Sequence, residues 1–539
     1  MSACQHNMAH LYHVTSSIPD SPQKKPSNCG SALGENAFSV SSSGTTSMDE
    51  ALAVAASNPG AEQKEKVRVV VVGAGISGLR AASVLQRHGV EVTILEGRDR
   101  IGGRIHTTRN DQGISRDIGA AWLHETSQNK LVKLISKLKL DYYYDDGMPL
   151  YYTEQGRAGA QFKAKKVADE FADHCEWFYE TYPNAPDKSV SDFVNDFVLQ
   201  HELITDDERL WAPQAVKEVE LWIGTSCELA SSKHLSYFIT ERNLYMKGGY
   251  DHVVKWTSES LEPDTVRLNS IVDRIEWCED GSRPCALEYH DGNGVSSRVE
   301  TDAVISTLPL GVLRNELVEF SPPLPVDTKL ALSKFSYGAL GKVFFEFTDV
   351  FWSKDNDQFM YYPSPPALDE ELYSTSASSS SSTEEDNILN YATVTINLWI
   401  MTNAKELCVQ IAEPLTQRIE AMADKRAIYK FFEPLFKLLR TEPYKTLPRL
   451  VNVETTHWTQ DAFAGFGSYS ADKVGDEPEM LIKALEKHQG SRLQFAGEHC
   501  TMVANGCVHG AFATGETAAK NLLNTFGIEY DGGDLVSVN

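Results

Sequence analysis

The chain has 539 residues, a hydrophobic content of 42% and a formal net charge of −25. It is long enough for a large core and more than one domain, its hydrophobic content is ordinary for a globular protein, and its charge excludes plain binding to a phosphate backbone, which would be repelled. A negative field of this size attracts small cations, although solubility alone is the commoner reason for one.

In chain order, residues 1 to about 65 are rich in Ser, Gly, Ala and Asn with little periodicity, and read as a disordered leader. No basic region followed by an apolar run opens the chain, and no apolar stretch approaches the ~20 residues of a membrane span. The last residues, Ser537-Val538-Asn539, are not the Ser-Lys-Leu peroxisomal address. A cytoplasmic protein without a membrane span is the expectation, with a peroxisomal location left open. "VRVVVVG" is then a continuous apolar strand, "SGLRAASVLQRHG" has helical spacing and ends on glycine, and "VEVTILEG" is a second strand. Together they predict a βαβ unit with parallel strands buried on both faces.

From about residue 142 to 238 the chain reads as helices rich in aromatics and charges, while "YGALGKVFFEF" and "YATVTINLWIM" read as strands of a different sheet. "STSASSSSSTEED", residues 374–386, reads as a surface loop and most simply as a tolerated insertion. "LQFAGEH" and "HGAFATGETAAKNLLNTF" return to strand, turn and helix. The simplest architecture is an α/β domain interrupted by a second, α+β domain. Nine cysteines (Cys4, Cys29, Cys175, Cys227, Cys278, Cys285, Cys408, Cys500 and Cys507) are scattered without CxxC pairs, which fits a reducing compartment and gives no zinc signature. No metal site, Ser/His/Asp constellation or internal repeat is predicted.

Gly73, Gly75 and Gly78 have the G-x-G-x-x-G spacing, directly after a strand and opening a helix. Their tasks are a tight turn, close approach of backbone to a pyrophosphate, and close helix-to-strand packing. The helix N-terminus adds free N–H groups and a positive dipole end. At the end of the next strand Glu96 can accept from a ribose 2′-hydroxyl, and its charge opposes a 2′-phosphate. Beyond it, "EGRDRIGGRIHT" brings Arg98, Gly102, Gly103 and Arg104, which a plain nicotinamide site does not need. A longer cofactor crossing this loop would use both the backbone access and the guanidinium groups; a simple turn with a solvated arginine is the alternative.

"GAGISGL…ILEGRDRIGGR" resembles the FAD-binding signature of the flavin amine oxidase superfamily. The resemblance continues in "DIGAAWLH", "LGKVFF", "HWTQDAFAGFGSYS" and "FAGEHCTMVANGCVHGAFATGETAA", so that it runs from residue 67 to about 525. The first block also occurs in carotenoid desaturases and prenyl-binding GDP-dissociation inhibitors, so the later blocks carry the assignment. Within the superfamily the chain is most similar to polyamine oxidases, the fungal type in particular.

The resemblance implies an α/β amine oxidase fold: a Rossmann-like FAD-binding domain from segments 66–140, 240–310 and 450–530, interleaved with an α+β substrate-binding domain from 141–239 and 311–449. It implies oxidation of spermine, spermidine or their N-acetyl forms by hydride transfer to flavin N5, with hydrolysis of the imine to amine plus aldehyde and reoxidation by O2 to give hydrogen peroxide. FAD contacts fall on Gly73, Gly75, Ile76, Ser77 and Gly78; on Glu96, Gly97, Arg98, Gly103 and Arg104; on Gly119, Ala120, Ala121 and Trp122 of "DIGAAW"; on the backbone of Val272; and on Glu498, Cys507 and Val508. "STLPLGVL", residues 306–313, matches another loop near the cofactor. Small residues Gly510, Ala511 and Ala513 let the last helix approach closely, where its N-terminus would stabilise reduced flavin.

Four residues are expected at the chemistry. Lys342 matches a lysine that reaches flavin N5 through a water, Trp458 and Tyr469 match aromatics near the flavin and along the substrate tunnel, and His124 matches a tunnel-mouth position. From the residues alone, Lys342 reads rather as a solvated strand-end lysine and Trp458 and Tyr469 as core residues, and His124 is equally a structural histidine. Cys507 departs from the plant-type pattern, where a tyrosine stands opposite the Tyr469 position; it removes one aromatic wall or is simply a small packed residue. Ser468 stands where monoamine oxidases carry the cysteine that attaches flavin, so noncovalent FAD is expected. An oxidase acting on another amine or a lysine side chain, and a non-redox binding protein on the same fold, remain as alternatives; against a histone-lysine demethylase, no long coiled-coil insertion is seen.

Overall fold

The apolar run of β1 (Arg68–Val72) is followed by helix α1 (Ile76–Arg87) and β2 (Glu91–Leu95), and the two strands pair in parallel, as the hydrophobic pattern requires. This is a computed structural model, which describes residues 66–532 other than 128, 146, 148, 160–161, 236–242 and 367–385. The expected leader lies outside the described residues, as does the serine-rich loop except Asp386, whose carboxylate receives Arg418. A five-stranded parallel sheet is completed by Val266–Arg267 beyond β2, and by Ala303–Ser306 and Leu493–Phe495 on the other side of β1. The chain crosses to β2 on one side of β1 and returns to Ala303–Ser306 on the other. The carboxyl ends of these two neighbours therefore flank a switch point, where open α/β sheets leave a crevice for ligands.

One face of this sheet is covered by α1 and the last helix, Val508–Thr525. The two helices meet backbone to backbone: a Cβ on Gly515 would lie 2.2 Å from the Ser77 carbonyl oxygen. Beside it Arg80 and Glu516 form a buried ion pair at 2.6 Å. The opposite face packs on the four-stranded sheet of Ser270–Glu276, Cys285–Asp291, Ser296–Thr301 and Glu319–Ser321.

"GKVFFEF" and "TVTIN" belong to a separate seven-stranded sheet, ordered Leu450–Thr455, Gly341–Phe347, Glu406–Ile411, Thr393–Asn397, Gln358–Tyr361, Leu150–Thr153 and Gly156–Arg157. Each predicted strand is shorter than its motif. Tyr337–Gly338 pairs instead with Tyr469–Ser470, and Asn397 ends its strand by capping the short helix Leu398–Thr402.

The helical reading of residues 142–238 needs correction at its start. Tyr142–Asp145, Leu150–Thr153 and Gly156–Arg157 are strands, and helices begin only with Ala164–Thr181, Val190–Gln200 and Asp206–Val216. The reason is non-local pairing: Tyr142–Asp145 is held by Asn243–Met246, and Leu150–Thr153 by Gln358–Tyr361. A window along the chain does not contain those partners.

Candidate functional site

At the carboxyl end of β1 the three glycines meet three different constraints. Gly73 has a φ of +102°, and a Cβ there would lie 2.6 Å from Thr307 Oγ1. A Cβ on Gly78 would lie 2.0 Å from the Gly73 carbonyl oxygen, so only hydrogen lets α1 start this close to the strand. A Cβ on Gly75 would meet no protein atom within 4 Å. That open space lies where the first N–H groups of α1, at Ile76 and Ser77, have no acceptor within the helix. Ser77 Oγ is itself buried without a partner.

Glu96 is buried, and its oxygens accept from Ala74 N–H at 2.7 Å and Arg98 N–H at 2.9 Å. It thus ties the glycine turn to the next loop, and each oxygen keeps a lone pair for a further donor. Loop 97–104 rides over the turn: Gly102 N–H donates to the Ala74 carbonyl at 2.8 Å, and a Cβ on Gly103 would be 3.3 Å from Gly75 Cα. Gly97 is pressed against Phe463, whose ring also lies 5.3 Å from the Arg98 guanidinium. Arg98 is not solvated; it pairs with Asp461 at 2.7 Å. Ser270 N–H donates to the Glu96 carbonyl, which brings the strand of Val272 alongside. Thr307, in the 306–313 loop, binds the end of β1 through its hydroxyl and N–H.

Arg104 gathers the far loops. Its Nη1 donates to Glu498 at 2.8 Å, the Ser468 carbonyl at 3.0 Å and Tyr337 Oη at 3.1 Å. Glu498 also accepts from Ser470 Oγ at 2.6 Å and Gly506 N–H at 3.1 Å. Burial works against both charges, yet Tyr337 and Glu498 hold Arg104 above its ordinary value, while Arg104, His499 and Ser470 hold Glu498 below the ordinary carboxylate range.

Lys342 is 6% exposed, so a solvated strand-end lysine is not what the fold makes of it. Its Nζ donates to the Gly119 carbonyl at 2.6 Å and the Asp117 carbonyl at 3.0 Å, and lies 5.2 Å over the Trp122 ring. Burial pushes the ammonium below its usual value, against the Cys408 thiol and Asp117. Asp117 is itself pushed up to about 6 by burial. The segment that holds Nζ is fixed by Gly119 and Ala120, whose N–H groups donate to the His106 and Arg104 carbonyls, and by Ala121, whose carbonyl accepts from Met246. Gly119 is obligatory, since a Cβ would lie 1.8 Å from the Arg104 carbonyl oxygen. Trp458 is buried, with Nε1 3.4 Å from the Ile118 carbonyl, and Trp122 Nε1 is buried without a partner.

His124 Nδ1 pairs with Asn243 Oδ1 at 2.9 Å, and burial pushes its pKa down, which favours neutral imidazole. Tyr469 is half-buried, its hydroxyl donating to the Trp222 carbonyl at 2.7 Å. A Cβ on Gly506 would lie 3.3 Å from the Tyr469 ring, so the loop carrying Cys507 crosses that ring. Burial pushes the Cys507 thiol up to about 12, and Val508 opens the last helix. The fold therefore makes two groups: Lys342 with Trp122, Trp458 and the 117–121 segment, and Tyr469 with Cys507, Glu498 and Arg104. Sequence reasoning missed Asp117, Thr307, Tyr337, Asn243 and Asp461, whose partners are 10 to more than 300 residues away. Only Asp117, Thr307 and Asp461 stood inside a matched block.

A model of the family "Flavin containing amine oxidoreductase" matches residues 76–523. The chain belongs to that family. It is similar to the corticosteroid-binding protein of Candida albicans, 28% identical over 487 residues that cover 85% of this chain and 96% of the relative. It is 29% identical to polyamine oxidase 4 of Oryza sativa subsp. japonica over 504 residues, 87% and 91% of the two chains. Lysine-specific histone demethylase 1 homolog 1 of Arabidopsis thaliana is 26% identical over 475 residues, which cover 85% of this chain and 52% of the relative. As a flavin-containing amine oxidoreductase the chain calls for FAD, and its residues fit that group: the Gly75 cradle is empty of protein, and α1 opens onto it. The family acts on small-molecule amines. No helix among the described residues is long and apolar enough to cross a membrane.

Proposed function

We propose that this family member oxidises polyamines, spermine or spermidine or their N-acetyl derivatives, with dioxygen as the second substrate and hydrogen peroxide, an amine and an aldehyde as products. The observation that carries the reading is the buried Lys342 ammonium, held on two carbonyls and an indole face. An ammonium has three N–H donors, and two have acceptors, which leaves one to hold and orient a water. A fold that only stored a ligand would gain nothing from burying this cation, whose desolvation is costly. The likeness to a rice polyamine oxidase supports the substrate class.

FAD, when bound, supplies the acceptor for the hydride equivalent leaving the carbon beside the amine nitrogen. The glycine turn would hold its pyrophosphate, Glu96 its ribose, Val272 its adenine, and Glu498 with Arg104 the loops around the rest; segments 66–140, 240–310 and 450–530 supply these residues. Segments 141–239 and 311–449 would shape the amine site. Trp458 and Tyr469 would exclude water and face the substrate, and neutral His124 would accept a hydrogen bond from a protonated amine. The amine that reacts must be neutral, which a dry, aromatic-lined site favours. We read the FAD as noncovalent: Ser468 cannot form a thioether, and its hydroxyl already bonds Leu340 N–H and the Gly338 carbonyl.

The test is anaerobic mixing of the holoprotein with spermine, spermidine, their acetylated forms, tyramine and lysine peptides, following the oxidised flavin band. Rapid bleaching by a polyamine is expected; bleaching only by another amine or by a lysine peptide would replace the substrate class. A second reading, a binding protein without turnover, is favoured by the printed name of the Candida relative. Titration with a corticosteroid that shifts the flavin spectrum, with no amine bleaching it, would establish that reading instead.

A further inference from the structure

The segment whose carbonyls hold Lys342 adjoins, at Arg116, a charge cluster that no motif announces. Asp117 ends β4 (Ser115–Asp117), which forms a hairpin with β3 (Thr107–Arg109). Its neighbour Arg116 is 5% exposed at the side chain and reaches three carboxylates on three adjacent strands of the seven-stranded sheet. Nε donates to Glu406 at 2.7 Å, Nη2 to the other Glu406 oxygen and to Glu346 at 2.7 Å, and Nη1 to Glu454 at 3.2 Å. Thr108 and Asn110, from the same hairpin, add bonds to Glu454 at 3.2 Å and Glu406 at 3.0 Å.

The register puts these carboxylates on the face that carries Lys342. Residues two apart along a strand share a face, so Lys342, Phe344 and Glu346 point the same way. Glu346 pairs with Glu406, and Phe344 with Glu454, and residues directly opposite each other share a face too. Arg116 and Asp117 thus touch one face at two points about 13 Å apart along the strand Gly341–Phe347. At one point three carboxylates surround a guanidinium; at the other one ammonium meets two carbonyls.

A buried ion cluster is weak ground for stability, because apolar side chains of similar volume would seal the hairpin at least as well. What it supplies is register: a planar guanidinium bonded to three strands fits in one place only, whereas packed aliphatic groups slide. We infer that Arg116, through Glu406, Glu346 and Glu454, is a positioning residue for Lys342, pinning β4 so that the Asp117 and Gly119 carbonyls fix where Nζ sits. The inference rests on the reading of Lys342 as a working group.

The test compares Arg116→Lys, Glu454→Gln and Lys342→Met with the parent. Two readouts are used: acylation of Lys342 by an amine-reactive reagent in the apoprotein, followed by mass spectrometry, and the separate rates of anaerobic flavin reduction and of reoxidation by dioxygen in the holoprotein. Arg116→Lys keeps the charge and loses the fork, so Lys342 acylation is expected to rise, and reoxidation to slow, each about tenfold, with KM for the amine changed less than about twofold. A folded Arg116→Lys protein with parental acylation and reoxidation would reduce Arg116 to a structural part and overturn the inference. If Arg116→Lys does not fold, Glu454→Gln decides. It takes the charge from the longest contact, on the most exposed of the three carboxylates, and should move both readouts the same way by about threefold; no movement overturns the inference. Lys342→Met separates the two claims. Slow reoxidation in Lys342→Met beside normal Arg116→Lys refutes positioning alone, whereas parental rates in Lys342→Met refute the role of Lys342 and the inference with it.

Discussion

Replacing Gly75 with alanine should separate cofactor binding from folding at a turn where the two are usually confounded. The added methyl would meet no protein atom within 4 Å, and the backbone, at φ −69° and ψ 172°, suits any residue. Loss of chain entropy in the unfolded state stabilises such a variant by about 0.4–1 kcal/mol. Alanine at a helix N-cap is worse than glycine by about the same amount. The two contributions nearly cancel, so the apoprotein should melt within about 1 °C of the parent, since one kcal/mol moves the melting temperature of a chain this long by only about that much.

If the turn holds the FAD pyrophosphate as proposed, the same methyl stands where phosphate oxygens would approach the backbone, and a loss of about 10–100-fold in FAD affinity is expected, about 1.4–2.7 kcal/mol. Gly78→Ala is the contrast: its carbon would sit 2.0 Å from the Gly73 carbonyl oxygen, so α1 must move. Overpacking of this kind costs about 1–3 kcal/mol, and it should lower apoprotein stability and FAD affinity together. Calorimetry of the apoproteins and titration of FAD fluorescence measure both quantities. A Gly75→Ala protein that binds FAD as tightly as the parent would refute the argument, because no phosphate could then lie on that backbone.

Glu516 lies near pH 2 in the fold, against an ordinary 4.5, because Lys520 and Arg80 outweigh its burial. Its contribution is complete above pH 4.5 and fades as pH falls toward 2, so the melting-temperature gap between the parent and Glu516→Gln should narrow across that window; a constant gap would contradict this. Asp117 has the opposite sign. Burial raises it from 3.8 to about 6, the folded state keeps a proton that the unfolded chain releases, and stability should fall as pH rises between those values. Asp117→Asn should flatten that slope in melting scans, and an unaltered slope would assign it elsewhere. Glu498→Gln leaves Arg104 without its countercharge; a loss of about 1.5–3 kcal/mol in stability, with weaker FAD binding, is expected, and parental values for both would show that Arg104 does not organise these loops.

Much of the five-stranded parallel sheet's opening unit was legible because its signals are local. An apolar run, three glycines at fixed spacing and an acid one strand later lie within 29 residues, 68–96, and the fold gives each glycine a distinct constraint. Glu96 is a partial exception: its first partners are Ala74 and Arg98 N–H groups, which a motif does not display. The strands of Tyr142–Asp145 and Leu150–Thr153 were illegible because their partners lie about 100 and 200 residues away.

The sequence by itself determined the parallel βαβ unit, the glycine turn and the family, since propensity, spacing and motif reside in contiguous residues. It could not say whether Lys342 is solvated or buried, nor that Arg98 belongs to Asp461, nor that Arg116 would meet Glu346, Glu406 and Glu454. Those outcomes depend on which strands lie side by side and in what register, and pairing one residue out of step would turn Lys342 to the other face of its sheet. Burial and charge pairing are properties of the assembled sheets, so tertiary structure alone decided them.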